Sequence, residues 1–181
     1  ARKVIIKHGS EHVTVRRIAQ EVGVSEGAIY RHFKSKRDVL SLLVDDIEKT
    51  LMADLNFNCR EDSCTLEFLE MVIKNHMSHV VQRKGVSFQV IAEIISLGDK
   101  RLNEKVYGVI TGYTGRIREL LGEGVKSGVL RPDIDLDAAA VSFFGITQGV
   151  VGTWALSQYG FNLEEKYESL WKLFREAIIK H

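Results

Sequence analysis

The chemistry most legible in this sequence is the binding of an anion. Nine Lys and Arg side chains crowd residues 1–37 (Arg2, Lys3, Lys7, Arg16, Arg17, Arg31, Lys34, Lys36, Arg37) against three Glu (Glu11, Glu21, Glu26). The rest of the 181-residue chain reverses the balance, with sixteen basic and twenty-one acidic residues. The first fifth is therefore net +6 and the remainder net −5, beneath a whole-chain charge of +1. A basic end on an acidic body points to one end meeting a polyanion such as DNA, with a solvated charged surface as the alternative. Covalent chemistry finds less support. There is no GxSxG elbow, P-loop, HExxH or paired Cys/His set, and no evident acid–base pair, so no enzyme activity is expected. Cys59 and Cys64 are too few for a secreted disulfide framework and lack partners at zinc spacing, so free thiols are expected. His76 and His79, three apart, supply too few ligands for a transition metal even with Glu93, and neither metal nor cofactor is expected.

Short helices must position the basic residues. Val15, Ile18, Ala19 and Val22 follow the i, i+3, i+4, i+7 spacing of one helical face, with Arg16, Arg17, Gln20 and Glu21 off it. Thr14 suits the N-cap of this helix and Gly23 its left-handed end. Val24 is expected to plug the corner. Ser25 can cap a second short helix with Ala28, Ile29 and Phe33 turned inward, and Ser35 a long one from Lys36 to about Leu55. Two short helices meeting at a glycine make a helix-turn-helix, whose second helix enters the major groove of DNA.

Three runs, Val13-Thr14-Val15-Arg16-Arg17-Ile18-Ala19, Gly23-Val24-Ser25-Glu26-Gly27-Ala28-Ile29-Tyr30-Arg31-His32-Phe33 and Lys34-Ser35-Lys36-Arg37-Asp38-Val39-Leu40, closely resemble the DNA-binding domain of the TetR family of repressors. Later in the chain only the length, the helical pattern and a Leu130-Arg131-Pro132-Asp133 turn look similar. The resemblance implies residue roles. Gly27 and Ala28 would let the recognition helix approach the groove, with Ala28 against a thymine methyl. Tyr30 and His32 would meet the phosphate backbone, and Arg31 either phosphate or a guanine edge. Thr14, Arg17 and Lys36 are further phosphate candidates, although Thr14 and Ser25 also serve as caps. Glu26, of the wrong sign for DNA, would read a cytosine amine or point away. Arg16 and Lys34 complete the candidate DNA-binding set.

Everything after about residue 60 reads as helix, beyond a polar connector at Asn56–Ser63. Leu69, Val72, Ile73, His76, Met77 and Val80 form one apolar stripe, with His76 inside it. Residues 86–97 are apolar nearly all round, which predicts a central helix buried on several sides. A third long helix from Leu102 carries Val106, Val109, Ile110, Tyr113, Ile117, Leu120, Leu121 and Val125, and stops at Gly128 and Pro132. Residues 136–157 show two apolar faces, one with Leu136, Ala140, Phe143, Thr147, Val150 and Trp154, the other with Val141, Phe144, Gly145, Gln148, Val151, Gly152 and Ala155. One face can serve the protomer's core and the other a second copy, which the small Gly145, Gly149 and Gly152 would let approach closely. Trp171, Phe174 and Ile178 on the final helix join this expected dimer interface, as the resemblance implies. It also implies an apolar effector pocket, for which His76, Phe88, Ile91, Ile95, Tyr113, Phe143, Gln148 and Trp154 are candidates, each equally suited to an ordinary core.

The expected protein is all-α, with a three-helix DNA-binding domain over residues 1–50 joined by a long helix to a ligand-binding and dimerisation domain over residues 51–181. The apolar stretches look interrupted well before the roughly 20 residues a bilayer needs, and no signal peptide is evident, so a cytoplasmic protein is expected. The opening at Ala1, without Met and partway into a helical pattern, suggests a native tail before it. The function expected is that of a homodimeric regulator, most simply a repressor, which a small hydrophobic inducer releases from a palindromic double-stranded operator. The alternative is a DNA-binding protein whose helical domain binds another protein.

Overall fold

A computed structural model describes residues 2–8, 14–55 and 65–180. Val13, Cys59, Cys64 and the expected connector at Asn56–Ser63 lie outside the described residues. Within them the chain forms α1 (Arg2–His8), α2 (Val15–Val22), α3 (Glu26–Tyr30), α4 (Lys36–Leu55), α5 (Thr65–Gln82), α6 (Val86–Leu97), α7 (Lys100–Lys126), α8 (Leu136–Leu156) and α9 (Leu163–Ile178). Among the described residues there is no strand; one isolated antiparallel bridge joins Leu130 to Ile179. The fold is thus the all-α arrangement expected. It divides into two compact units, residues 1–50 with 83–109 and residues 51–82 with 110–181, so α4 and α7 each contribute to both.

In the first unit α1 packs on α2 and on α6, and α2 packs on α3. The helix boundaries follow from local chemistry. Thr14 Oγ1 accepts from Arg17 N at 3.2 Å, and Gly23, at φ 72°, ends α2 in the left-handed region. Ser25 Oγ accepts from Ala28 N at 3.2 Å and starts α3. The entry to α4 is a reciprocal cap: Ser35 Oγ faces Asp38 N at 3.4 Å, while Asp38 Oδ2 accepts from Ser35 N at 3.0 Å and from Lys34 N at 2.7 Å. Val4, Ile5, Val15, Ile18, Ala19, Val39, Leu40, Leu43 and Val44 are buried beneath these turns. Two expectations fail here. Val24 does not plug the corner; it is exposed, and Val15, Ile18 and Ala19 hold the inside of α2. Nor is α6 buried on several sides. Only Val86, Val90 and Ile94 are buried, and Ile95 is 66% exposed, because α6 is a one-sided layer within its unit.

In the second unit α9 packs against both α5 and α8. Leu69, Val72, Met77, Ile117, Leu121, Phe143 and Trp171 are buried in its core. Asp135 caps α8 by accepting from Asp137 N and Ala138 N, both at 3.0 Å, and Asn162 caps α9 in the same way. Among the described residues α8 is the one helix long and apolar enough, by length and composition, to cross a membrane, contrary to the expected early interruption. Its burial explains that composition: Ala139, Ala140, Phe143, Thr147, Val150, Val151, Gly152 and Trp154 serve the unit's own core. Trp154 also pins the turn that follows, since its Nε1 donates to the Phe161 carbonyl at 3.0 Å and its ring meets Tyr159 edge-on at 4.7 Å.

Trp154→Ala is expected to remove both the packing and the turn contact, lowering unfolding free energy by about 3–5 kcal/mol in a urea titration. A loss below about 1 kcal/mol would show that the α8–α9 turn is held elsewhere. Gly23→Ala meets open space but inherits the left-handed φ, so a smaller loss of about 1 kcal/mol is expected from backbone strain alone.

Candidate nucleic-acid interface

The basic residues come together because α2 and α3 are short and both end in turns. Arg16, Ser25, Glu26, Gly27, Tyr30, Arg31, His32 and Lys34 are all exposed, as is Thr14 at the start of α2. Ala28 is half-buried. None of the five α3 residues is fully buried, and Glu26, Gly27 and Tyr30 are exposed to a partner while Ala28 and Ile29 face inward half-buried. Gly27 adds space: a Cβ built there meets no atom within 4 Å, so the backbone can lie against a groove floor without moving a neighbour. Arg17 is half-buried and lines a small polar hollow with Val4, Gln20 and Glu21. Glu26 points to Arg16, with Oε1 3.5 Å from Nε, so the carboxylate of unfavourable sign is partly neutralised from within the surface. That contact favours pointing away over reading a cytosine amine.

Lys36 is placed differently from the other cations. Its Nζ lies 2.6 Å from Glu93 Oε1 on α6, and its neighbour Arg37 has Nε 2.8 Å from Asp99 Oδ2. Asp99 at the same time caps α7, its Oδ1 accepting from Leu102 N at 3.0 Å. Further along α4, Lys105 Nζ pairs with Asp45 at 2.7 Å and donates to the carbonyl and hydroxyl of Ser41. The roles of Asp38, Glu93 and Asp99 at the start of α4 were not among the sequence expectations. Asp38 was recoverable, because Ser followed three residues later by an acid is a capping signal. Glu93 and Asp99 carry no local signal, being far from α4 in sequence.

The effector candidates are split by the fold. Phe88, Ile91 and Ile95 belong to the first unit, where Phe88 and Ile91 are half-buried and Ile95 is open to solvent. His76, Tyr113, Phe143 and Trp154 are buried in the second, with Gln148 half-buried there. Tyr113 belongs to a polar cluster inside that unit: Asp54, itself buried, lies 3.5 Å from His79 Nδ1 and near the Tyr113 phenol. Burial first, and then the Asp54 charge, push the Tyr113 phenol well above its ordinary range, so it stays neutral. Phe144 meets Tyr113 edge-on at 6.1 Å, and Phe143 meets Phe174 at 5.5 Å. A groove of about 240 Å³ opens elsewhere in the unit, lined by Glu70, Ile73, Lys74, Tyr167, Glu168, Trp171 and Lys172. On its rim a hydrogen bond from Lys74 holds the Glu70 carboxyl below its ordinary range.

The expected dimer residues divide as well. Val141 is 61% exposed, Gly145 is exposed, and Phe144, Gln148 and Ala155 are half-buried. Val151, Gly152, Trp171, Phe174 and Ile178 are instead buried within one chain, because α9 turns its aromatic stripe onto α5 and α8. Two residues missed by sequence reasoning, Leu156 at 86% and Leu173 at 69% exposed, present large apolar side chains to solvent on α8 and α9.

Residues 1–43 match the family described as "Bacterial regulatory proteins, tetR family", and residues 33–177 match "YsiA-like protein, C-terminal region". The fatty acid metabolism regulator protein of Bacillus subtilis (strain 168) is 26% identical over 176 residues, spanning 97% of this chain and 90% of the relative. Nucleoid occlusion factor SlmA of Vibrio vulnificus (strain YJ016) is also 26% identical, over 171 residues, or 94% of this chain and 87% of the relative. Among solved structures, the transcriptional regulator FadR of Bacillus subtilis in complex with stearoyl-CoA superposes with a TM-score of 0.77 at 25% identity, covering 96% of this chain and 93% of that one.

Gly27→Ala is expected to leave thermal stability unchanged or slightly raised, since a helical alanine is favoured over glycine by about 0.5–1 kcal/mol. Operator affinity should nonetheless fall by roughly tenfold if the α3 backbone sits against the groove, about one bidentate contact's worth in a fluorescence-anisotropy titration. Undiminished affinity would place another part of the surface at the bases.

The exposed α3 on a capped helix-turn-helix thus agrees with matches that together span most of the chain, which belongs to the TetR family of bacterial regulatory proteins.

Proposed function

We propose that the chain is a repressor that grips a roughly palindromic operator as a homodimer and is released by a small hydrophobic effector. The observation that carries this reading is the unburied α3 flanked by exposed Arg16, Tyr30, Arg31, His32 and Lys34. Gly27 and Ala28 face the base edges. Thr14, Arg17, Ser25, Tyr30, His32 and Lys36 hold phosphates, and Arg31 holds a phosphate or a guanine edge. Residues 1–50 act as the DNA-binding domain and residues 51–181 as the effector and dimerisation domain, in the cytoplasm. A second copy docks on the exposed apolar stripe of α8 and α9, through Val141, Gly145, Leu156 and Leu173. Gly145 and Gly149 favour close approach, as an added Cβ at either meets nothing within 4 Å.

For the effector we favour a long-chain acyl thioester, supported by the stearoyl-CoA in the FadR complex and the fatty acid metabolism regulator among the relatives. The Asp54, His76, His79 and Tyr113 side chains can meet its polar groups, and Phe143 and Phe144 its apolar ones. Trp154 is better explained as the anchor of the α8–α9 turn than as a pocket wall. Release then follows from linkage: an effector that binds the DNA-incompetent arrangement more tightly weakens operator binding by the same factor that operator weakens effector binding. The SlmA relatives support a second reading, in which the chain binds DNA while its helical domain engages a protein.

Selection on random duplexes, followed by titration with stearoyl-CoA, separates the two. Enrichment of a palindrome whose affinity falls at least about tenfold with saturating thioester supports the first. A palindrome insensitive to acyl thioesters shifts the weight to the protein-partner reading, and no enrichment at all contradicts both. Leu173→Asp, placed on the open α9 face, is expected to yield a folded monomer in sedimentation velocity that has lost most of its operator affinity; an unchanged dimer would put the interface elsewhere.

A further inference from the structure

We propose that Glu93 on α6 and operator phosphate are rival partners of the Lys36 ammonium, so that α6 sets DNA affinity by holding or releasing one cation at the first turn of α4. The inference rests on the reading of Lys36 as a phosphate contact. Its basis is the contrast among cations of the DNA-binding surface. The Arg16 side chain is largely solvated, whereas those of Lys36 and Glu93 are 29% and 18% exposed and approach to 2.6 Å. A charge-assisted hydrogen bond that short, partly withdrawn from water, directs an N–H of the ammonium at the carboxylate and offsets its charge. A phosphate oxygen asks for the same charge and hydrogen-bonding capacity. Lysine suits such an exchange because its compact charge rides on a flexible stem and can swing between partners without moving the helix.

The neighbouring residue makes the contact a device rather than an isolated surface pair. Arg37 is tied to Asp99, which also caps α7, so two consecutive basic residues of α4 are fastened to α6 and to the turn that follows it. Any displacement of α6 along its axis therefore changes the distance from Glu93 to Lys36, whatever causes it. With Glu93 near, Lys36 is neutralised and a carboxylate faces the phosphate; with Glu93 withdrawn, one more cation is presented to DNA. Both effects have the same sign, so the test must separate competition for Lys36 from simple charge repulsion.

The experiment uses the full chain as wild type, Glu93→Gln, Lys36→Met and the double variant. Each is titrated at several salt concentrations on the selected operator and on a scrambled duplex, after thermal melts have verified folding. Glu93→Gln is expected to bind both duplexes about threefold to tenfold tighter, with a salt slope steeper by about one ion per protomer. Lys36→Met should bind more weakly than wild type, and Glu93→Gln should then change affinity by less than about twofold. If Glu93→Gln binds no tighter than wild type, the rivalry is wrong and Glu93 instead aligns Lys36. A gain that survives intact in the Lys36→Met background also overturns it, since bulk charge would then be responsible. Should the glutamine variant melt early, Glu93→Ala serves as the second probe, and the same two results would overturn the rivalry. A wild type that selects no operator contradicts the regulator reading itself, a failure distinct from either.

Discussion

A recognition helix of five residues, none of them buried, cannot hold its own orientation. An isolated helix of that length is far below what propagation can stabilise in water, so its geometry must come from both ends and from what lies beneath. The Gly23 turn and the Ser25 cap fix how α3 leaves α2, and the Ser35–Asp38 reciprocal cap fixes where the chain re-enters helix as α4. Ala28, Ile29 and Phe33 are half-buried, a shallow footing compared with the fully buried Val39 and Leu40 just beyond. The proposed DNA-binding surface is thus an exposed arch on two capped corners. Its readout depends on the α4 entry as much as on α3.

That dependence makes α4 the element on which the proposed regulation turns. The helix begins with Lys36, at the proposed DNA-binding surface, and ends with Asp54 and Leu55, which belong to the second compact unit. Its first half is held by ion pairs, with Lys36 to Glu93, Arg37 to Asp99 and Lys105 to Asp45, in addition to apolar packing. Such pairs are weak individually and exchangeable, whereas a purely apolar seam is neither directional nor open to competition by an anion. A regulator that must respond to both a polyanion and an effector gains from contacts that a phosphate can replace. The coupling needed is modest, since about 1–3 kcal/mol is the ordinary range between linked sites.

Much of the DNA-binding half was legible because its determinants are local. Thr14, Gly23, Ser25 and the start of α4 at Lys36 stand where cap and turn chemistry placed them, and α7 and α8 follow their apolar stripes. Composition misled where burial is decided by partners rather than pattern. The apolar α6 looked central, but only its Val86, Val90 and Ile94 are fully buried. Trp171, Phe174 and Ile178, which the resemblance assigned to a dimer interface, are buried within one chain, where α9 packs on α5 and α8. Leu173 and Leu156 were passed over as single residues, although exposure of large apolar side chains is the more telling sign of an interface. The tertiary pairs of Lys36 and Arg37 lie more than fifty residues away along the chain and leave no trace in local spacing.

As proposed, two copies of the arch formed by α2, α3 and the start of α4 read successive major grooves on one face of a duplex. Hydroxyl-radical footprinting of the selected operator tests it most directly. Two protected patches related by a dyad, about one helical turn or a multiple of it apart, are expected, with Arg31→Ala weakening both equally. A single patch, or protection unchanged by Arg31→Ala and Gly27→Leu together, would contradict it and place DNA on another surface of the protein.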